Sequence, residues 1–146
     1  MKKVKEIKIA IVKSNYYPKL TKSLEKGATD YLISAGMKKS NIAVFDVSGS
    51  WEIPLVVKKI AQTKLFDGII ALGVIIKGET YHFELIANEC ARALMSICLE
   101  FGIPVAFEVL ATYNLAQAEE RSIGQYNKGI EAAKTILEMI KLSSKL

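Results

Sequence analysis

Four short runs rich in isoleucine and valine alternate along this chain with segments whose apolar residues recur every three to four positions. The runs are Ile7 to Val12, Ile42 to Val47, Gly68 to Ile76 and Val105 to Leu110; the periodic segments are Leu20 to Ala35, Glu52 to Gln62 and His82 to Phe101. A run that is apolar throughout, rather than at every second residue, reads as a strand buried on both faces, and a three-to-four spacing reads as a helix. Glycine and proline fall at the joints. Gly36 follows the first helix, Asp67-Gly68 precedes the third strand, and Gly102 with Pro104 closes the third helix. Beyond the last strand, Leu115 to Glu120 and Asn127 to Lys141 read as a short and a longer helix separated by Gly124. The order βαβαβαβ followed by helices predicts a four-stranded, doubly wound parallel sheet in a three-layer α/β/α sandwich.

With 146 residues, 51% of them hydrophobic, residues 1–146 suffice for one domain with a real core. The basic start followed by a short apolar run reads as a first strand and not as a secretion signal, because no small-residue cleavage site follows. No apolar stretch is long enough for a bilayer, so no membrane partner and a cytoplasmic location are expected. The net charge of +5 comes from scattered lysines without an aromatic-basic stripe. It fits a small anionic substrate as well as it fits nucleic acid, and no nucleic-acid partner is expected. Cys90 and Cys98 share one helix with no cluster of ligands at metal spacing, so reduced core thiols and no metal site are expected.

In sheets of this type ligands bind beyond the carboxyl ends of the strands. That singles out Lys13 to Lys19, Ser48 to Trp51, Lys77 to His82 and Glu108 to Asn114. Gly78, Glu79 and Thr80 lie where the third strand turns into a helix, a place where backbone N–H groups can cradle a phosphate; Thr80 can equally serve as a plain helix cap. His82, the one histidine, follows in the first helical turn and can either move protons for a bound substrate or stand as a surface residue. Tyr16 and Tyr17 occupy the turn where a dinucleotide-binding domain carries glycines, which argues against a nicotinamide cofactor. Their rings can stack on a planar heterocycle or cover the sheet end.

The second strand ends in Gly49-Ser50-Trp51-Glu52. Trp51 offers a flat apolar surface and Glu52 a carboxylate for hydroxyl donors, while Ser50 and Glu52 could also act as the cap and dipole partner of the next helix. Farther on, Arg121 and Lys128 flank a glycine-containing connection, with Glu131 one helical turn after Lys128. Arg121 can hold a phosphate bidentately, though solvated surface charges read the same way.

Taken together these segments resemble the lumazine synthase family over nearly the whole chain. The resemblance is carried by GAxDxL at Gly27 to Leu32, GSWEIP at Gly49 to Pro54, ALGVIIKGETYHFE at Ala71 to Glu84, PVAFEVL at Pro104 to Leu110, and the ER…NKG…A pattern from Glu120 to Ala132. It implies a flavodoxin-like fold and the condensation of 5-amino-6-(D-ribitylamino)uracil with 3,4-dihydroxy-2-butanone 4-phosphate. This is the penultimate step of riboflavin formation, and it needs neither metal nor organic cofactor. On this resemblance Tyr16 packs on the pyrimidinedione, backbone near Ser50, Ile75 and Ile76 holds it, Trp51 borders it and Glu52 receives ribityl hydroxyls. Gly78, Glu79 and Thr80 cradle the phosphate, with the Glu79 side chain outside, and His82 moves protons. The family's site lies between subunits, so Phe107, Arg121 and Lys128 are expected from a neighbouring copy, with Arg121 on the phosphate. A pentamer is implied, a sixty-subunit shell is a further expectation, and a riboflavin synthase is left open as a partner.

Four positions depart from the family pattern. Glu108 stands for the usual glycine, Trp51 for phenylalanine and Tyr17 for asparagine, and the loop from Arg121 to Asn127 is one residue short. These departures are expected to narrow the pocket or shift subunit register. Two other readings compete: a flavin- or lumazine-binding shell protein of the same fold without turnover, and a receiver-type signalling domain. The latter would want an acidic cluster after the first strand, where Lys13-Ser14-Asn15 stands instead.

Overall fold

A computed structural model describes residues 2–146. Four strands, β1 (Ile9–Ser14), β2 (Ile42–Val47), β3 (Gly68–Ile76) and β4 (Val105–Thr112), form one parallel sheet in the order β2-β1-β3-β4. Five helices accompany it: α1 (Pro18–Ser34), α2 (Ile53–Thr63), α3 (His82–Phe101), α4 (Leu115–Ser122) and α5 (Lys128–Ser143). The expected three-layer, doubly wound architecture is the one observed.

The strand alternation divides the core in two. Ile9, Ile11, Ile70, Leu72, Ala106 and Leu110 face α1 and α5, packing with Leu24, Ala28, Leu32 and Ile136. Ala10, Val12, Ile69, Ala71 and Val109 face α2 and α3, packing with Ile53, Val57, Leu94 and Ile97. Strands buried on both faces therefore read as unbroken apolar runs, as β1 and β3 do: Ile9 through Val12 and Ile69 through Leu72 are fully buried. The same expectation fails for the two edges. β2 leaves Val44 and Phe45 exposed and β4 leaves Phe107 exposed, because each has a strand on one side only.

Two boundaries also move. β1 runs on through Lys13 and Ser14, which the sequence placed in a loop, and β4 runs on to Thr112. Lys13 stays in the strand because its buried ammonium is paired: Glu25 of α1 lies 2.6 Å away and Asp46 of β2 lies 3.2 Å away. Burial opposes its charge, but the hydrogen bonds it donates to the Glu25 and Asp46 carboxylates, with their negative charges, outweigh that and raise its pKa. Lys13 thus belongs to the α1 face, away from any ligand.

The GAxDxL and NKG segments meet where α1 crosses α5. The Asn127 side chain donates to Ser23 O at 2.7 Å and accepts the Gly129 N–H at 2.8 Å, capping α5. A Cβ on Gly27 would collide with that side chain, and one on Gly129 would overlap Leu24 O. Both glycines are present so that the helices can approach. No helix among the described residues is long and apolar enough to cross a membrane.

Candidate active site

The chain passes from β1 to β2 on one side and then returns to place β3 on the other side of β1. Loops leaving the carboxyl ends of β1 and β3 therefore diverge, and a crevice opens between them. A cleft of about 340 Å³ lies there, with walls from the exits of β1, β2 and β3.

The first wall is the β1 exit. The Asn15 N–H donates to Val47 O at 2.8 Å, tying it to the β2 exit, and the Tyr16 N–H donates to Ser14 Oγ at 3.3 Å. Tyr17 packs against the core and meets Tyr16 edge-on, with ring centroids 5.1 Å apart. This prop holds the Tyr16 ring at the cleft, where 71% of the residue remains exposed.

The second wall is the β2 exit, which enters a single 3₁₀ turn over Ser50–Glu52 before α2. Trp51 and Glu52 are exposed along the cleft, and Pro54 fits the first turn of α2, where no N–H is needed. Ser50 does not act as a cap. It is buried, its Oγ has no hydrogen-bond partner, and it lines the cleft. The buried Cys90 thiol donates to Ser50 O at 3.5 Å, fastening this turn to α3.

The third wall runs from Val74, Ile75 and Ile76 of β3 into the turn of Gly78 and Thr80. Lys77 anchors that turn: its N–H donates to Thr112 O at 2.9 Å, and its Nζ lies 3.1 Å from Glu84 and 5.8 Å from the centre of the Tyr113 ring. The hydrogen bond from Lys77 holds the Glu84 carboxyl below its ordinary range. α3 then starts at His82 with no side-chain cap, so Thr80 is not the helix cap either. The start of this twenty-residue helix thus lies at the cleft, through His82, without a side-chain cap.

Tyr16, Ser50, Trp51, Glu52, Ile75, Ile76, Gly78, Thr80 and His82 consequently line one cleft. Glu79 is exposed and is not part of the lining. Val74, Phe83 and Ile86 also line it and were not singled out from sequence. Ile86 is readable from the spacing, since it lies four positions after His82 and three after Phe83, separations that share a helical face.

Phe107, Arg121 and Lys128 lie elsewhere. Phe107 is exposed on the β4 edge, in register with Ala71. Arg121 and Lys128, with Glu131, border a separate cleft of about 390 Å³ formed by α4, α5 and the short turn Gly124–Tyr126 between them. There Lys128 pairs with Glu131 at 2.6 Å, and Arg121 reaches Gln117 O at 3.0 Å and Glu120 at 3.1 Å. Glu108, expected to narrow the pocket, is half-buried between Ala106 and Leu110 on the α5 side of the sheet and is absent from the first cleft. Burial, then the Glu131 carboxylate, pushes its pKa up to about 7, against the pull of Lys128.

A family model described as 6,7-dimethyl-8-ribityllumazine synthase matches residues 6–144. Two curated relatives, from the DP4 and Hildenborough strains of Nitratidesulfovibrio vulgaris, each carry that same name. Each is 41% identical to this chain over 143 residues, which covers 97% of this chain and 92% of the relative. On a match of this extent, together with a cleft at the switch point of a four-stranded parallel sheet, the chain belongs to the 6,7-dimethyl-8-ribityllumazine synthase family.

Proposed function

We propose that this chain makes 6,7-dimethyl-8-ribityllumazine, a transferase reaction of riboflavin formation that joins 5-amino-6-(D-ribitylamino)uracil to 3,4-dihydroxy-2-butanone 4-phosphate. The observation that carries this reading is the first cleft: exposed Tyr16 and Trp51 border it on one side, and the uncapped start of α3 with His82 borders it on the other. One side suits a planar heterocycle, and the other suits a phosphate.

The 5-amino nitrogen adds to the ketone and a Schiff base forms with loss of water. Elimination of inorganic phosphate leaves an enol at the neighbouring carbon, which tautomerises to a new ketone; the ribitylamino nitrogen closes the ring on that ketone, and a second water departs. Every step is addition, elimination or proton transfer, so holding the two reactants together supplies much of the acceleration. Tyr16 would stack on the uracil, with backbone at Ser50, Ile75 and Ile76 and the face of Trp51 fixing its plane, and Glu52 would accept ribityl hydroxyls. N–H groups at Gly78, Glu79 and Thr80 would hold the phosphate, and His82 would carry protons between the reacting nitrogens and oxygens.

Phe107, Arg121 and Lys128 would complete the cleft of an adjacent copy, with Arg121 on the phosphate. The separation of Arg121 and Lys128 from His82 into a cleft of their own supports a shared site. So does the exposed edge position of Phe107. A pentamer is the assembly proposed, stacking into a sixty-subunit shell is its extension, and a cytoplasmic setting suits the free thiols Cys90 and Cys98.

Mixing both substrates with the protein tests the activity. Lumazine absorbance and inorganic phosphate should rise together, well above the uncatalysed rate. Binding of a substrate-analogue heterocycle with no product would instead identify a binding protein of the same fold. Sedimentation as a monomer would remove the shared site.

A further inference from the structure

Glu108 is a carboxyl set among the apolar residues of β4, and the structure shows what it faces. β4 places it between Ala106 and Leu110, half-buried against α5, with the uncharged Leu72 as its partner in β3. From α5 the charges acting on it are those of Glu131 and Lys128. From α4, Arg121 acts on Lys128 and is itself paired with Glu120. The adjoining cleft carries Arg121, Lys128 and Lys134 against Glu120 and Glu131. Its net charge is therefore +1 with Glu108 neutral, and zero once Glu108 ionises.

We propose that Glu108 is a specificity-determining residue for the phosphate-bearing reactant: its carboxyl sets the net charge of the Arg121 and Lys128 corner, which takes an anion well when Glu108 is neutral and poorly when it is ionised. The proposal rests on Arg121 and Lys128 being the anion contacts of the proposed function. Glu108 touches no reacting atom and acts through Lys128. Because burial and Glu131 raise its pKa to about 7, the change falls near neutral pH. A phosphate monoester is already largely dianionic above pH about 6.5, so its own titration does not mask the effect.

The test measures KM for butanone phosphate, and the affinity for inorganic sulfate, which stays dianionic throughout, by calorimetry, at pH about 6.5, 7.5 and 8.5. The proteins are the wild type, Glu108→Gln and Glu108→Gly. For the wild type both should weaken by about three-fold to ten-fold across this range, as expected for one added charge near a solvated anion site. Both should stay flat in Glu108→Gln and Glu108→Gly, and KM for the uracil should not follow pH in any of them. A Glu108→Gln protein whose sulfate affinity still falls like the wild type's would overturn the proposal. If no protein made lumazine, the proposed function would fall instead, while sulfate binding would still decide the role of Glu108.

Discussion

Gly73 of β3 lies directly beneath Ser50: a Cβ on Gly73 would stand 2.7 Å from Ser50 Oγ, with Val109 and Ile53 at 3.1 and 3.3 Å. Relieving that clash requires the Ser50 hydroxyl to swing aside or its turn to shift, and either change alters the cleft wall. Gly73→Ala should therefore disturb the cleft at Ser50. The expected outcome is a stability loss of about 1–3 kcal/mol, typical of an overpacked core, with KM for the ribitylaminouracil raised more than KM for the butanone phosphate. Denaturant melts and steady-state kinetics measure the two effects. An unchanged uracil KM would mean that Ser50 does not border the pyrimidine.

His82 and Arg121 should separate kinetically. His82 stands in the first turn of α3 at the cleft, so on the proposed function His82→Ala removes the proton carrier but leaves the proposed stacking and phosphate contacts in place. A fall of about ten-fold in kcat with little change in either KM is expected, since positioning persists. Arg121→Ala removes the proposed charge-assisted phosphate contact and should raise KM for the phosphate substrate by about ten-fold to a hundred-fold. Equal effects of both changes on kcat alone would contradict the division of roles.

The parallel sheet, the order of elements along the chain and the expectation of a site at the carboxyl ends of the strands follow from periodicity and punctuation, which are local signals; the strand order and the crevice between the exits of β1 and β3 come from the fold. What escaped the sequence depends on partners distant along the chain. Lys13 looks like a loop lysine until Glu25 and Asp46, on different elements, are seen to neutralise it inside β1. β2 reads as a covered strand because IAVFDV is mostly apolar, yet it is a sheet edge with Val44 and Phe45 exposed. Periodicity reports that a side chain is to be covered and is silent on whether this chain or another copy covers it. The NKG motif gains a physical reason only from the crossing of α1 and α5, where Asn127 and Gly129 meet Ser23 and Leu24.

Glu108 should leave a mark on stability as well. Its carboxyl titrates near 4.5 when unperturbed and at about 7 in the fold, because burial and Glu131 disfavour its charge. Between those values the folded form keeps a proton that the unfolded chain has lost. Stability from this group is thus highest below pH about 4.5 and declines as pH rises to about 7, by about 2–3 kcal/mol in total. Urea midpoints at a fixed protein concentration should show Glu108→Gln gaining on the wild type between pH 5 and pH 8. A constant difference across that range would mean that the carboxyl is not held neutral by its surroundings.

Cys90 supplies a last check, on the joint between α3 and the Ser50 turn. The residue is buried, burial pushes its thiol up to about 11, and its Sγ donates to Ser50 O at 3.5 Å. Alkylation requires the thiolate and access to it, and the folded protein offers neither at pH about 8. Native protein treated with iodoacetamide should keep Cys90 unmodified over hours, whereas both cysteines should label in urea; mass spectrometry of the digests distinguishes them. Cys90→Ala should cost about 1–3 kcal/mol, from the lost sulfur packing and from a Ser50 carbonyl left without its donor. Cys90→Ser should restore the donor at the same place. Rapid labelling of native Cys90 would show that α3 opens away from the turn, and that the cleft wall is not held as described.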